Sequence, residues 1–231
     1  MKAYWFKYAE SRRTFCSRNL KKSAKMLLCK RSLEHKILHS THFMIKIHII
    51  IGSTRQQRFS EKPAHWIYEE AKKREGVEVE LLDLRDYPLA FFNEPTGPSG
   101  MKEEYSDPIA RKWVHKIGEA DAFVIVTPEY NHGYPAVLKN ALDYAYVQWN
   151  NKPIGFVSYG GVAGARSVEQ LRQVAIELQM APIQKAVHIP AFWTLMDDQG
   201  NFKADTLIDA GEKMLDQLIW WAHALKMARQ K

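Results

Sequence analysis

The feature that most constrains this chain is the run Ile45-Lys-Ile-His-Ile-Ile-Ile51, which places five isoleucines in seven residues and stops at Gly52. Branching at Cβ favours the pleated strand over the helix, and a run so apolar has to be covered on both faces, as in a parallel sheet. The rest of the chain repeats that logic with helices between the strands. A helix is expected from Ser60, read as its N-cap, with Pro63 in the first turn and Ala64, Ile67, Tyr68 and Ala71 on one face, ending at Gly76. Val77–Leu82 mixes apolar residues with acids, which suits a strand near the sheet edge. A short helix over Ile109–Ile117 and a buried strand over Asp121–Thr127 come next. Pro135 opens a helix whose Val137, Leu138, Ala141, Leu142, Ala145 and Tyr146 share a face. Strands over Pro153–Tyr159 and Ile183–Ile189 flank a helix over Arg166–Leu178, and a last helix spans about Asp205–Met227. Strict alternation of this kind implies one parallel sheet with helices on both faces, a three-layer α/β/α domain running from residue 44 to 231.

Residues 1–43 are different in kind. They hold eleven Lys/Arg against Glu10 and Glu34, a charge of +9, which leaves the rest of the chain at −2 although the whole carries +7. The basicity that would suggest a nucleic-acid partner therefore belongs to this segment and not to the α/β domain. Three readings of it stand side by side: a targeting peptide, a disordered tail, or sequence upstream of a start at Met44. A twin-arginine export signal around Arg12 and Arg13 is excluded, because Ser-Arg-Asn-Leu-Lys-Lys follows where an apolar stretch is required. Cys16 and Cys29 are the only cysteines, so no disulfide framework or paired-cysteine metal site is expected. No run approaches the roughly 18 apolar residues that span a bilayer. A cytoplasmic protein with neither membrane nor nucleic-acid partner is the expectation.

In an open α/β sheet, ligands bind beyond the carboxyl ends of the strands, where strand order reverses. Three loops occupy such positions. Gly52–Ser60 offers backbone N–H groups, hydroxyls and a helix N-terminus to an anion, with Arg55 and Arg58 to neutralise charge. It matches neither the GxxxxGK[ST] nor the GxGxxG phosphate loop. Thr127-Pro-Glu-Tyr-Asn-His-Gly-Tyr-Pro135 sets an unusual backbone able to hydrogen-bond a flat heterocycle. Tyr159-Gly160-Gly161-Val-Ala-Gly164 lacks side chains where a ring would approach. His132 reads as a solvent-facing turn residue, Asp143 as a polar partner at a helix or subunit contact, and Trp66, Trp113, Trp220 and Trp221 as core or interface. No acid–base pair stands out, so no catalytic side chain is assigned. The long segment Arg85–Asp107 resists the pattern, and a loop of that length is usually functional or covers an interface.

Taken in order, Gly-Ser-Thr-Arg, then Pro-Glu-Tyr-Asn-His-Gly-Tyr-Pro with Leu138-Lys-Asn-Ala-Leu-Asp143, then Gly-Gly-x-x-Gly, resemble the NADPH-dependent FMN reductase family over about residues 45–190. The resemblance implies a flavodoxin-like, doubly wound sheet of five parallel strands, non-covalent FMN and a homodimer or homotetramer. It implies reduction by NADPH or NADH and electron delivery to a small acceptor such as a quinone, azo compound, flavin or metal ion. Carried over by position, Ser53, Arg55 and Ser60 hold the FMN phosphate. Pro128, Glu129, Tyr130 and Asn131 flank the isoalloxazine and ribityl chain, and Gly160 and Gly161 lie by the far edge of the ring. Many members place Ser and Asn later in the first loop, where this chain has Ser60 and Glu61. Two alternatives belong to other classes: a flavodoxin-like electron carrier, and a non-enzymatic flavin-binding module. For the oligomer, Leu89, Phe91, Phe92, Tyr144, Tyr146 and Trp149 are the apolar surface expected to meet a second subunit.

Overall fold

The computed structural model describes residues 44–101 and 104–230, and the basic segment 1–43 lies outside them. Strands β1 (Ile45–Ile51), β2 (Val77–Asp83), β3 (Ala122–Pro128) and β4 (Pro153–Tyr159) are joined through helices α1 (Glu61–Lys72), α2 (Pro108–Glu119) and α3 (Ala136–Asp143). Helix α4 (Ala165–Glu177) leads to two short strands, β5 (Ala181–Pro182) and β6 (Val187–Ile189), and α5 (Ile208–Arg229) ends the fold. All pairings are parallel, in the order β2-β1-β3-β4-β5, with β6 also on β4. The order reverses between β1 and β3, the doubly wound pattern, and β2 lies at the edge as its sequence implies.

The burial of β1 explains its composition. Ile45, Ile47, Ile49 and Ile51 pack into one core with α1 and α5, while Ile50 faces the other core with α2, α3 and α4. A strand covered on both sides needs apolar residues at every position except where a polar group finds a partner. His48, buried at the centre of the strand, breaks that rule.

Several expectations need correction. The fifth strand is not continuous from Ile183 to Ile189. The Arg172 guanidinium donates to the Ile183 and Gln184 carbonyls at 2.5 and 3.1 Å, and Lys185 N–H donates to Gln217 Oε1 at 2.8 Å. Those side chains take backbone groups that a ladder would use, so β5 and β6 pair with β4 at separate places. Ser60 precedes α1 but does not cap it, because its backbone is already helical and its hydroxyl bonds Tyr159. The capping reading fits Asp107 instead, whose carboxylate accepts from the N–H groups of Ile109 and Ala110. Helix α3 stops at Asp143, leaving Ala145 and Tyr146 in the turn beyond.

The long segment after β2 folds back over its own subunit. Asn140 donates to the Ala90 carbonyl at 2.7 Å and accepts from Phe92 N–H at 2.9 Å, and the Tyr144 hydroxyl donates to the same carbonyl. Leu89 and Phe92 thereby pack on the core, and Tyr144 and Trp149 are buried. Most of the surface expected at a subunit contact is thus covered within one chain, while Phe91 and Val147 remain exposed. Trp113 is core, but Trp220 and Trp221 lie on the exposed side of α5 and Trp66 is half-buried. No helix among the described residues is long and apolar enough to cross a membrane.

Candidate active site

Three loops leave the carboxyl ends of β1, β3 and β4, side by side at the switch in strand order. In the first, residues 52–59 are neither helix nor strand, and their orientation is set by two arginines. Arg58, buried, donates to the Ser53 carbonyl and pairs with both oxygens of Asp83 and with Glu61. Arg85 donates to the Thr54 carbonyl at 3.4 Å and to the Arg55 carbonyl at 2.5 Å. In a planar trans peptide the following N–H points opposite to the C=O. With the carbonyls of Ser53, Thr54 and Arg55 all turned to guanidinium groups, the N–H groups that follow them point away from those guanidiniums, and that of Arg55 donates to Ser53 Oγ at 3.4 Å. Aligned N–H groups make a concavity for an anion.

The expectation that Arg58 neutralises a bound anion is therefore corrected. Its charge is spent on Asp83 and Glu61 beneath the loop. Burial alone would raise the Asp83 carboxyl, but hydrogen bonds from Arg58 and from the Arg85 N–H outweigh it and hold the group below the usual carboxylate range. Arg55, by contrast, is exposed, with its guanidinium 5.8 Å from the centre of the Tyr130 ring. Ser53 Oγ lies 2.8 Å from the Tyr130 hydroxyl, so Ser53, Arg55 and Tyr130 form one group. Ser60 is not part of it. Its hydroxyl is fully buried and bonded to the Tyr159 phenol at 2.6 Å, whose pKa burial pushes up to about 12.

The second loop is a tight turn. Tyr130 and Gly133 exchange backbone hydrogen bonds at 2.8 and 3.1 Å, and the two residues between them, Asn131 and His132, have φ of 50° and 76°. Positive φ at both central positions is the primed turn, which Asn tolerates and His rarely adopts. His132 is exposed at its tip, as the sequence suggested, and its carbonyl accepts from Gln170. Pro128 closes β3 with its carbonyl bonded to Ser167 Oγ. The Glu129 carboxylate is turned inward, accepting from the Arg166 backbone at 3.2 Å and its guanidinium at 2.9 Å, so its charge is not offered to a ligand. Asp143 forms an ordinary surface pair with Lys139 one turn away.

The third loop packs against the second. A Cβ at Gly160 would lie 2.9 Å from the Glu129 Cβ, and one at Gly164, where φ is 72°, would lie 2.7 Å from Ser158 Cβ and Tyr159 N. Both glycines are required by the protein itself. Gly161 is not, since a Cβ there would meet nothing within 4 Å, and the space beside it is open. N–H groups turned from the guanidiniums, an exposed arginine and an open glycine edge suit a phosphate joined to a flat ring. Arg85, Tyr159 and Arg166, which hold these loops in place, were not picked out from the sequence. An arginine opening a helix after a glycine loop is a weak signal for Arg166, and no signal marks the other two.

The NADPH-dependent FMN reductase family matches residues 45–194, which include all three loops. The chain belongs to this family. An NAD(P)H-dependent FMN reductase of Schizosaccharomyces pombe is 41% identical over 161 residues, covering 69% of this chain and 79% of the relative. An NAD(P)H:quinone oxidoreductase of Solanum tuberosum is 33% identical over 147 residues, covering 62% and 73%. Among solved structures, a flavoenzyme NAD(P)H:(acceptor) oxidoreductase of Paracoccus denitrificans superposes with a TM-score of 0.64 at 19% identity, covering 78% of this chain and 98% of that one, which bears on the fold alone. The reductase is an oxidoreductase that uses FMN with NAD(P)H as electron donor. FMN, when bound, supplies the redox chemistry by accepting a hydride from the nicotinamide and releasing electrons to an acceptor. The protein contributes binding, orientation and the fixed dipoles of the three loops.

Proposed function

We propose that the FMN phosphate lies in the first loop against the N–H groups of Thr54 and Gln56, with Ser53 and the Arg55 guanidinium completing its contacts. The isoalloxazine then runs along Pro128, Glu129, Tyr130 and Asn131, with Gly160 and Gly161 at its far edge. The observation that carries this reading is the turning of three consecutive carbonyls onto Arg58 and Arg85, which leaves the N–H side of the loop to the ligand. Ser60 acts through Tyr159, holding β4 against the start of α1 and not touching phosphate. We assign the whole of this function to residues 44–231. The acceptor we propose is a small quinone, the class for which the potato relative is named.

Fluorescence titration of FMN into the apoprotein tests the site, with the full chain and a chain starting at Met44 run side by side. Arg55→Ala weakens binding by about 1.5–3 kcal/mol, the range of a hydrogen bond to a charged group. His132→Ala leaves it unchanged, and the two chains bind alike. Equal affinities for the two variants would remove the phosphate assignment, and loss of binding in the shorter chain would remove the domain assignment. A homo-oligomer also belongs to this reading, with the exposed Phe91 and Val147 as the surface a second copy covers. A monomer in sedimentation at micromolar concentration that turns over fully would refute it.

A further inference from the structure

His48 lies in the middle of β1, four residues or about 13 Å along the strand from the first loop. Its side chain is fully buried, and neither ring nitrogen has a hydrogen-bond partner among the described residues. An unsatisfied pair of buried nitrogens costs folding free energy and calls for an explanation. The imidazole edge is aimed at carboxylates. Nε2 lies 3.3 Å from Glu80 Oε2, across the β1–β2 register, and a carboxylate oxygen of Glu119, the last residue of α2, completes a set of ligand atoms all within 4.8 Å of one another.

Two ammonium groups face this set. Lys116 reaches Glu80 at 3.1 Å and Glu119 at 3.0 Å, and Lys46 reaches Glu119 and Glu78 at 3.3 Å. Three carboxylates against two ammonium groups leave one negative charge beside the fully buried imidazole. A neutral imidazole with a free lone pair is the form that ligates a metal. Lys116 and Glu119 also line a cavity of about 870 Å³, bounded further by Tyr105, His115, Gly118 and Tyr146, so the cluster has a path to solvent. The 3.3 Å between Nε2 and the Glu80 oxygen equals the ligand–ligand edge of a tetrahedral site with bonds of about 2.0–2.1 Å.

We propose that His48, Glu80 and Glu119 form a binding site for one divalent transition-metal ion of the zinc class, entered from this cavity past Lys116. One imidazole with two carboxylates selects zinc-class ions over magnesium or calcium, which take oxygen ligands. The Lys116 ammonium bridges Glu80 and Glu119 where the ion sits, and swings into the cavity on its flexible stem when the ion enters. The ion joins β1, β2 and the end of α2, so it stabilises the folded state by mass action.

The test uses the full chain with FMN bound, stripped with a chelator and titrated calorimetrically with Zn2+, together with thermal unfolding and zinc-edge X-ray absorption. The expected result is one ion per chain, a raised Tm, and a nitrogen/oxygen shell with one imidazole. His48→Ala and Glu119→Gln each weaken binding at least about tenfold, the lower bound for disturbing a metal shell. Lys116→Met tightens it on the order of tenfold by removing a competing positive charge. Because Glu119 is only partly buried, Glu119→Gln keeps the test valid where His48→Ala misfolds. No saturable one-to-one binding would overturn the proposal, and so would Zn2+ binding unchanged in Glu119→Gln or sulfur in the ligand shell, which would place the ion at Cys16 or Cys29. Lys116→Met with no change, or weaker binding, would show the cluster to be an ion-pair network only.

Discussion

The two ends of the sheet are built from similar residues and do opposite things. At the amino ends of the strands, polar groups close on one another. Asp121 accepts from the Lys46 backbone and from Lys226 and Arg229, and Lys152 donates to the last carbonyls of α2 at Ile117 and Gly118. At the carboxyl ends, carbonyls are satisfied by Arg58 and Arg85, the Arg55 N–H turns back to Ser53 Oγ, and the Arg55 guanidinium is left exposed. Of the seven non-glycine residues with positive φ among the described residues, five (Gln57, Asn131, His132, Ala163 and Ala191) lie in loops at the carboxyl end. Such conformations cost about 1–3 kcal/mol each and persist where the surroundings fix them. A parallel sheet therefore shows its working end by how side chains hold the loop backbone, more than by which residue types are present.

The contrast breaks most sharply at Arg58, where the open end rests on a buried ion pair. Arg58→Ala removes a fully buried cation from Asp83 and from the Ser53 carbonyl, and the expected loss of stability is about 3 kcal/mol. FMN affinity falls with it, because the first loop loses the contact that aims its N–H groups. The pH dependence comes from Asp83. Its folded-state pKa lies below the unfolded value, so the pair's contribution is present above the ordinary carboxylate range and is lost as pH falls through the depressed value. Chemical unfolding from neutral pH to pH 3 reads this directly, and an equal acid loss in wild type and Arg58→Ala would show that Asp83 does not report on the pair.

Gly160 and Gly161 of the third loop sharpen the same contrast. Gly160→Ala puts a Cβ 2.9 Å from Glu129 Cβ, where neither side can yield without moving backbone, and costs about 1–3 kcal/mol of stability. Gly161→Ala meets no protein atom, so Tm stays where it is while FMN binding weakens as the methyl fills the ring's space. The two effects are separated by measuring Tm of the apoprotein and FMN affinity on the same samples. If Gly161→Ala binds FMN as well as wild type, the ring does not lie at that edge.

Legibility in the sequence divides along the same line. β1, β4 and the edge position of β2 come straight from composition, because a buried strand has to be apolar and an edge strand does not. The break between β5 and β6 does not, since it depends on Arg172 reaching carbonyls from a helix. The three loops are found because glycine, proline and strand ends mark them locally. Which arginine of the first loop is left exposed is not readable, because the bidentate partner that buries Arg58, Asp83, stands 25 residues away. The fate of Phe92 and Tyr144 likewise depends on one side chain, Asn140, bonding a loop some fifty residues earlier.

The smallest effect is expected at His132, and it separates a conformational role from a chemical one. The residue holds φ of 76° at the second central position of the turn between Tyr130 and Gly133, where a Cβ is disfavoured and glycine is not. Replacing it by glycine relieves that strain but adds freedom to the unfolded chain, a cost of about 0.5–1 kcal/mol in the opposite direction. The two nearly cancel, and His132→Gly is expected to unfold within about 0.5 kcal/mol of wild type, on the stable side. The imidazole is exposed and its carbonyl, which accepts from Gln170, survives the substitution. FMN affinity and steady-state NAD(P)H turnover with a quinone should therefore match wild type. A drop in kcat at unchanged FMN affinity would instead mean that the His132 side chain acts on the acceptor, giving the open end of the sheet a chemical role beside its binding loop.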